Sequence, residues 1–499
     1  LQCNAKGISI LERLKGILRM TYSPLRLTGL GLRALCSGFL LAVVVGGAGA
    51  STPTRWPIDP ATGVVAVQPQ QLTAPYWIAR QSQPDQILLD RAGIQAQNAR
   101  MRAQDSAILD LRALPSPLPA AFVRKQIEQL SARPTRPLYD AQGKPVNSAT
   151  LDGLADDLAL ASIPAERPLQ YGLVVHRAAL RTFPTHERVF SSQDDTDIDR
   201  FQESALFPGD AVAVLHESRD GQWLFVASER YNAWIERQYV ATGNAGQVFG
   251  YGQKTPFRIV TGATAFTTHT PEQPALSRLQ LDMGVRVPVL ADWPIDRPVN
   301  GQHPYTAHVI ELPLRNADGS LSLVPALLPR TEDTAGDYLA LTPRNLITQA
   351  FKFLGERYGW GHSYDTRDCS GFVSEIYRPF GVLMPRNTSA QAVSPALDRI
   401  ALGKRDSATQ RIKAVQALQV GDLVYIPGHV MVTLGHENGL TYMIHDTAGG
   451  GWAGADGKRV SAHLNGVSVT PLEPMLASDT VTYIDRITNI QRIRPQSPK

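Results

Sequence analysis

The run Tyr358-Gly-Trp-Gly-His-Ser-Tyr-Asp-Thr-Arg-Asp368-Cys369-Ser370-Gly371-Phe372 decides how the rest of the sequence is read. Upstream, Thr342-Pro343 is a helix start, with Thr as N-cap and Pro at the first helical position, where its missing N–H costs nothing. Leu346, Ile347, Ala350, Phe351 and Leu354 then recur at helical spacing, which predicts one apolar face. After the cysteine, Phe372, Val373, Ile376, Tyr377 and Phe380 mark a second helical face. Cys369 therefore falls at or just before a helix N-terminus, where unpaired N–H groups and the helix dipole favour the thiolate, the nucleophilic form. Gly371 removes a side chain where a substrate backbone would have to approach. The competing reading is a buried structural cysteine. An Asp before it and Ser-Gly after it are poor companions for a core position.

Outward from this run, 499 residues are too many for one ordinary domain, and two to four are expected. The net charge of +4 is small and scattered, which argues against nucleic acid as a partner. Met20 opens a stretch with Arg26 and Arg33, followed by the apolar run Phe39 to Val45 and then Ala48-Gly49-Ala50. That order predicts a secretory signal peptide over 20–50, cut after Ala50. Its apolar core is too short for a membrane span, so no span is expected in the processed chain. Residues 1–19, ahead of that Met, read as upstream translation. Cys3 and Cys36 leave with the leader, and the processed chain keeps Cys369 alone. In an oxidising compartment an unpaired thiol is a liability unless it has a task.

Residues 51–165 are rich in Pro, Gln and Ala, with helix-forming composition around 86–114, 122–130 and 151–160. This region is expected to be helical and carries no chemical motif. From Tyr171 the pattern changes to short strands. Ala211 to His216 and Gln222 to Ala227 flank Arg219-Asp220-Gly221, an Asp-Gly hairpin turn. A second run, from Phe257 to about Leu328, looks alike and closes with Asp318-Gly319. Two small β-barrels are expected, over 166–243 and 244–330. Polar residues 331–337 link them to a last domain over 341–494.

In that domain Leu423 to Ile426 is a strand, Pro427-Gly428-His429 leads into a second over Val430 to Leu434, and Thr441 to His445 is a third. A loop centred on Glu437 would set His429 directly opposite His445, with both rings on one face. A thiol nucleophile needs an imidazole to take its proton and a third polar group to fix the tautomer of that imidazole. His429 and His445 supply both. A zinc site at His429, His436 and His445 has no supporting Cys pair or His-Glu-x-x-His, and no phosphate loop or dinucleotide fingerprint is present. No metal or cofactor is expected.

The Asp-Cys-Ser-Gly-Phe run, Tyr-Gly-Trp-Gly before it and Pro-Gly-His on a later strand resemble the NlpC/p60 family of cell-wall cysteine peptidases. Arg200-Phe-Gln-Glu203 with Tyr231-Asn-Ala-Trp234 resembles the bacterial SH3 domain that precedes some of them. The resemblance implies a multidomain α+β chain, with a helical region and two SH3-like barrels ahead of a papain-like catalytic domain. It implies Cys369 as nucleophile, His429 as base, His445 as third residue, and Tyr358 either beside the oxyanion or packing against the helix end. Asp368, Ser370 and Arg386 match substrate-contacting positions. Ser389 matches another, with Thr388 competing for it. Glu203 and Tyr231 match residues that wall off the N-terminal L-alanine of short stem peptides, against the plainer readings of a surface Glu and a loop aromatic. The implied reaction is hydrolysis of the bond from γ-D-glutamate to a diamino acid such as meso-diaminopimelate, in stem peptides or muropeptides, in the periplasm. The alternatives are a D-alanyl–diaminopimelate cross-link endopeptidase, a related amidase or acyltransferase, or an inert wall-binding protein. The chain departs from the family at His362, where a second Gly is usual. If that position needs φ > 0, His fits it less readily.

Overall fold

The computed structural model describes residues 56–495. The signal peptide expected over 20–50 lies outside them. Among the described residues no helix is long and apolar enough to cross a membrane.

The helices of the N-terminal region are divided between two cores rather than forming a unit of their own, and Val65 ahead of them enters a third. Asp90 caps the helix Arg91–Gln104 by accepting from the Gly93 N–H, and Ile94, Gln97 and Met101 are its buried positions. Ile94 and Met101, with Leu89 and Trp77, join the core that surrounds Cys369. Trp77 packs on Tyr442 with ring centroids 5.0 Å apart, and Tyr442 donates to the Ala66 carbonyl at 2.6 Å. The helices Ala120–Leu130 and Ser148–Asp157 go elsewhere. Val123, Ile127 and Leu154 pack with Phe183, Phe201, Trp223 and Trp234 of the first β unit. Amphipathic periodicity shows that a helix has a buried face, but not which neighbour buries it.

The first β unit is a seven-stranded antiparallel sheet. Asp220-Gly221 turns between the strands Ala211–Glu217 and Trp223–Ser228, as the sequence predicts. The strand Gln202–Leu206 is at one edge of this sheet, and it lies against the last domain. The second β unit differs from the first. It is divided among a three-stranded sheet and two separate hairpin pairs, Thr264–Phe266 with Gln280–Asp282 and Ala307–Arg315 with Leu321–Pro329. One core joins them through Val260, Leu281, Val287, Ile310 and Leu328, and Phe207 of the first unit enters it.

The last domain is built on a six-stranded antiparallel sheet. The helices Pro343–Phe351 and Cys369–Tyr377 share a core with Leu423, Tyr425, Val430, Val432 and Ile444. A second core forms around Val424, Met431 and Met443, which alternate with those residues along the strands. Thr342 accepts from the Asn345 N–H at 3.2 Å and Pro343 opens its helix, the cap read from the sequence.

Candidate active site

Cys369 is the first residue of its helix, and it is buried. Asp368 is the N-cap: its Oδ1 accepts from the Gly371 N–H at 2.8 Å. A cap carboxylate satisfies an orphan donor and favours the helix dipole. Asp368 is buried and held on every side. Arg386 donates to its two oxygens at 3.1 and 2.8 Å, and the Gly361 N–H donates to Oδ2 at 3.1 Å. Burial opposes the charge, but Arg386 wins and holds the carboxyl at about 2. Arg386 also donates to Ser370 Oγ at 3.0 Å and, through Nε, to Ser204 Oγ of the first β unit at 2.7 Å. One guanidinium thus joins the Cys369 helix to the edge strand of the first β unit.

A small cavity of about 20 Å3 is lined by Glu203, Trp360, Asp368, Cys369, Ser370, Arg386, Asn387 and Thr388. Thr388 Oγ1 is 3.5 Å from Cys369 Sγ. Ser389 is exposed and does not line the cavity. The helix Thr388–Val393 turns it outward and Thr388 inward, so Thr388 takes the place expected of Ser389. Glu203 is buried, not on the surface. It accepts from the Tyr231 hydroxyl and from Thr182 Oγ1. Burial, then the Glu203 charge, push the Tyr231 hydroxyl well above the usual tyrosine range, so it stays a donor. The surface reading misses this because an edge strand shows the same alternation whether water or another domain faces it.

His429 and His445 are paired: His429 Nε2 is 2.7 Å from His445 Nδ1, and His445 Nε2 is 2.9 Å from Thr470 Oγ1. The register differs from the expected one. The loop is Asn438-Gly439, and the pairing of Glu437 with Leu440 would leave the two rings on opposite faces if it ran on unbroken. A bulge between Thr433 and Gly435 inserts one residue. It returns both histidines to one face, His445 lying across from Met431 instead of His429. His445 is buried, and burial, then the neighbouring His429, push it well below the usual histidine range. The contacts thus run from His429 Nε2 to His445 Nδ1 and from His445 Nε2 to Thr470 Oγ1, which leaves His429 Nδ1 outside this run. The strands that carry this pair pack under the Cys369 helix. The histidines and Tyr358 do not line the small cavity around Cys369. Tyr358 is buried and its backbone pairs with Arg367, two residues before the cysteine.

The loop before the cysteine carries the residues that sequence reasoning missed. Gly361, His362, Tyr364 and Asp365 all have positive φ, from 57° to 67°. Each non-glycine residue there costs about 1 kcal/mol or more and needs outside support. Arg177 of the first β unit gives that support. It donates to the carbonyls of His362, Asp365 and Thr366 at 3.3, 2.8 and 3.0 Å. The departure from glycine at 362 also gains two side-chain contacts. Arg386 Nη2 is 2.9 Å from His362 Nδ1, and Nε2 is 2.7 Å from Glu375 Oε1. A guanidinium only donates, so Nδ1 accepts, the ring is neutral and Nε2–H donates to Glu375. Burial, then the Arg386 charge, push His362 down to about 4. Behind it Arg367 binds Glu375 and Glu356, and both Arg367 and Arg177 donate to Asp282 Oδ1 of the second β unit at 3.0 Å. Asp446, next to His445, is buried and has no hydrogen-bond partner for either oxygen among the described residues. Burial, then Glu356 and Cys369, push its carboxyl well up, so it stands neutral.

Residues 355–459 match the model of the NlpC/P60 family, and residues 188–236 that of an SH3 domain of the SH3b1 type. Residues 355–459 form an NlpC/P60 domain. Peptidases of this family are cysteine peptidases, and the match spans Cys369, His429 and His445. A probable endopeptidase p60 of Listeria welshimeri is 35% identical over 121 residues, 21% of this chain and 20% of that protein. A gamma-D-glutamyl-L-lysine dipeptidyl-peptidase of Bacillus cereus is 28% identical over 225 residues, 42% of this chain and 60% of that protein. The chain therefore spans 20% of the length of the first relative and 60% of the second. The structure of an NlpC/P60 endopeptidase from Photobacterium damselae subsp. piscicida superposes with a TM-score of 0.68 at 16% identity. That alignment covers 85% of this chain and 97% of that one, a likeness of fold.

Proposed function

We propose that the chain is an exported cysteine endopeptidase that cuts the γ-D-glutamyl–diamino acid bond of peptidoglycan stem peptides, with a free N-terminal amine required. The observation that carries this reading is Glu203, an SH3-unit carboxylate that lines the same small cavity as Cys369, Asp368, Ser370 and Thr388. A carboxylate fixed by Tyr231 and Thr182 fits an ammonium group, as the N-terminal L-alanine of a released stem peptide would present. Arg386 neutralises Asp368, which leaves Glu203 to meet that charge.

In this mechanism His429 Nδ1 takes the thiol proton, and His445 and Thr470 hold its tautomer. The thiolate attacks the γ-carbonyl, and the Cys369 N–H at the helix end stabilises the oxyanion. His429 returns the proton to the leaving amine of the diamino acid, which gives a thioester. Water, activated by the same imidazole, then releases the γ-glutamyl product.

Mass spectrometry of synthetic L-Ala-γ-D-Glu-meso-diaminopimelate, its N-acetylated form and cross-linked muropeptides tests the reading, with Cys369→Ala as control. Release of L-Ala-γ-D-Glu from the free-amine peptide alone is the expected result. Cleavage of blocked or cross-linked material would remove Glu203 from the site and make the chain a wall-remodelling enzyme. No Cys369-dependent product from any substrate would favour a wall-binding protein.

A further inference from the structure

A second, larger cavity of about 630 Å3 opens where the N-terminal helix, both β units and the catalytic domain meet. Its size is that of a small-molecule site. Arg102, Arg112, Arg230, Arg286 and Arg378 line it, against the carboxylates of Asp110, Asp210 and Glu229. Those three carboxylates are already engaged. Asp110 caps the turn at Arg112 at 3.0 Å, and Glu229 takes Arg102 at 2.8 Å. Asp210 accepts from the Phe207 N–H at 2.9 Å and has Arg378 at 3.6 Å.

Three of the arginines keep unused donors. Arg230 is half-buried and makes no side-chain hydrogen bond or ion pair among the described residues. Arg286 and Arg378 each leave a buried Nη1 without a partner among the described residues. Gly284, at φ +79°, lets Arg378 approach: a Cβ there would sit 2.2 Å from the Arg378 Cβ. Burial, then the like charge of Arg378, lower the Arg230 guanidinium to about 10, with Asp210 and Glu229 offsetting only part of that effect. Desolvated, unpaired guanidinium groups are costly, and their planar fork matches carboxylate and phosphate oxygens.

We propose that this cavity binds a small anion bearing two or more carboxylate or phosphate groups, held by Arg230, Arg378 and Arg286. The site is separate from the cysteine cleft but adjoins it. Arg230 faces the cavity while the next residue, Tyr231, holds Glu203; Met384 lines the cavity while Arg386 holds Asp368. The proposal rests on the cavity alone and stands apart from the peptidase reading.

Isothermal titration of the intact chain with pyrophosphate and with tricarballylate, at ionic strength matched with NaCl, tests it. At least one anion should bind with a Kd of about 1 mM or tighter, and Arg230→Met should weaken it about tenfold or more. Binding of pyrophosphate alone would assign a phosphate ligand, and of tricarballylate alone a carboxylate. Without added anion, Arg230→Met should melt no lower than the wild type, because Arg230 has no bond to lose. A variant that binds as tightly as the wild type, no binding of either anion, or a lower melting temperature of the variant in plain buffer would each overturn the proposal.

Discussion

The two β units read alike in sequence and serve the cysteine in different ways. The first presents an edge strand to the NlpC/P60 domain. Gln202 binds the Gly361 carbonyl at 2.7 Å and accepts from Trp360, Ser204 accepts from Arg386, and Glu203 enters the cleft. The second contributes no residue to the lining of that cleft. Its Asp282 instead sits behind, accepting from Arg177 and Arg367. Arg177 in turn clamps the left-handed loop 361–365. The first unit thus enters the cleft and, through Gln202 and Arg177, holds the loop before the cysteine, while the second buttresses Arg177 and Arg367 from behind. Variants in the two should therefore fail differently, one in specificity and the other in stability.

The largest effect is expected at Asp282. Asp282→Asn leaves two buried guanidinium groups short of a charge, which typically costs about 3–5 kcal/mol. Urea unfolding should show that loss, while kcat/KM of the protein that remains folded changes little. A loss of activity without a loss of stability would place Asp282 in the site and end the contrast between the units.

His362 comes next. Its pKa in the fold, about 4, is below the ordinary value of about 6.5. The unfolded chain takes up a proton between those values while the folded chain does not, so this stabilisation is full above about pH 6.5 and is lost as pH falls towards 4. The stability of the wild type relative to His362→Gln should fall by about 3 kcal/mol between pH 7 and pH 4. Glutamine can still accept from Arg386 and donate to Glu375, so equal slopes for the two proteins would show that the buried imidazole does not titrate in this window.

Glu203 tests the other unit. If its carboxylate binds an ammonium group, a charge-assisted bond is at stake, and Glu203→Gln should lower kcat/KM on free-amine peptides about 10–100-fold. The melting temperature should hardly move, since Gln can still accept from Tyr231. A melting temperature that falls together with turnover would argue for a structural role.

These contacts mark what could be read from the sequence. The helix caps at Thr342 and Asp368, the Asp220-Gly221 turn and the strand pattern around His429 are local, and local pattern suffices for them. The pairing of His429 with His445 was foreseen on a register the structure does not use, since one extra residue at the Thr433–Gly435 bulge resets the parity. The arginine network was not legible. Arg177, Asp282 and Arg367 are far apart in sequence, and each alone reads as a surface charge. His362 appeared as a departure from the family, and its compensation became visible only when Arg386, Glu375 and Arg177 converged on it. The sequence presents the N-terminal helices as one region because periodicity is silent about the partner, and two partners share them.

The smallest effect is expected inside the histidine pair, where neither β unit takes part. Thr470 Oγ1 lies 2.9 Å from His445 Nε2, and in the proposed mechanism it accepts from that nitrogen and so holds the tautomer of His429. Thr470→Val keeps the shape of the side chain and removes the acceptor, leaving a buried N–H unpaired at a cost of about 1 kcal/mol or somewhat more. Because Thr470 acts through His445 and does not line the cleft, the loss should appear as a several-fold lower kcat with KM unchanged. Thr470→Ser, which restores the hydroxyl, should recover most of it. If valine lowers the melting temperature but leaves kcat intact, Thr470 belongs to the packing of the sheet alone. In that case the imidazole pair keeps its geometry without a third partner, and orientation of His429 rests on His445 and the strand bulge.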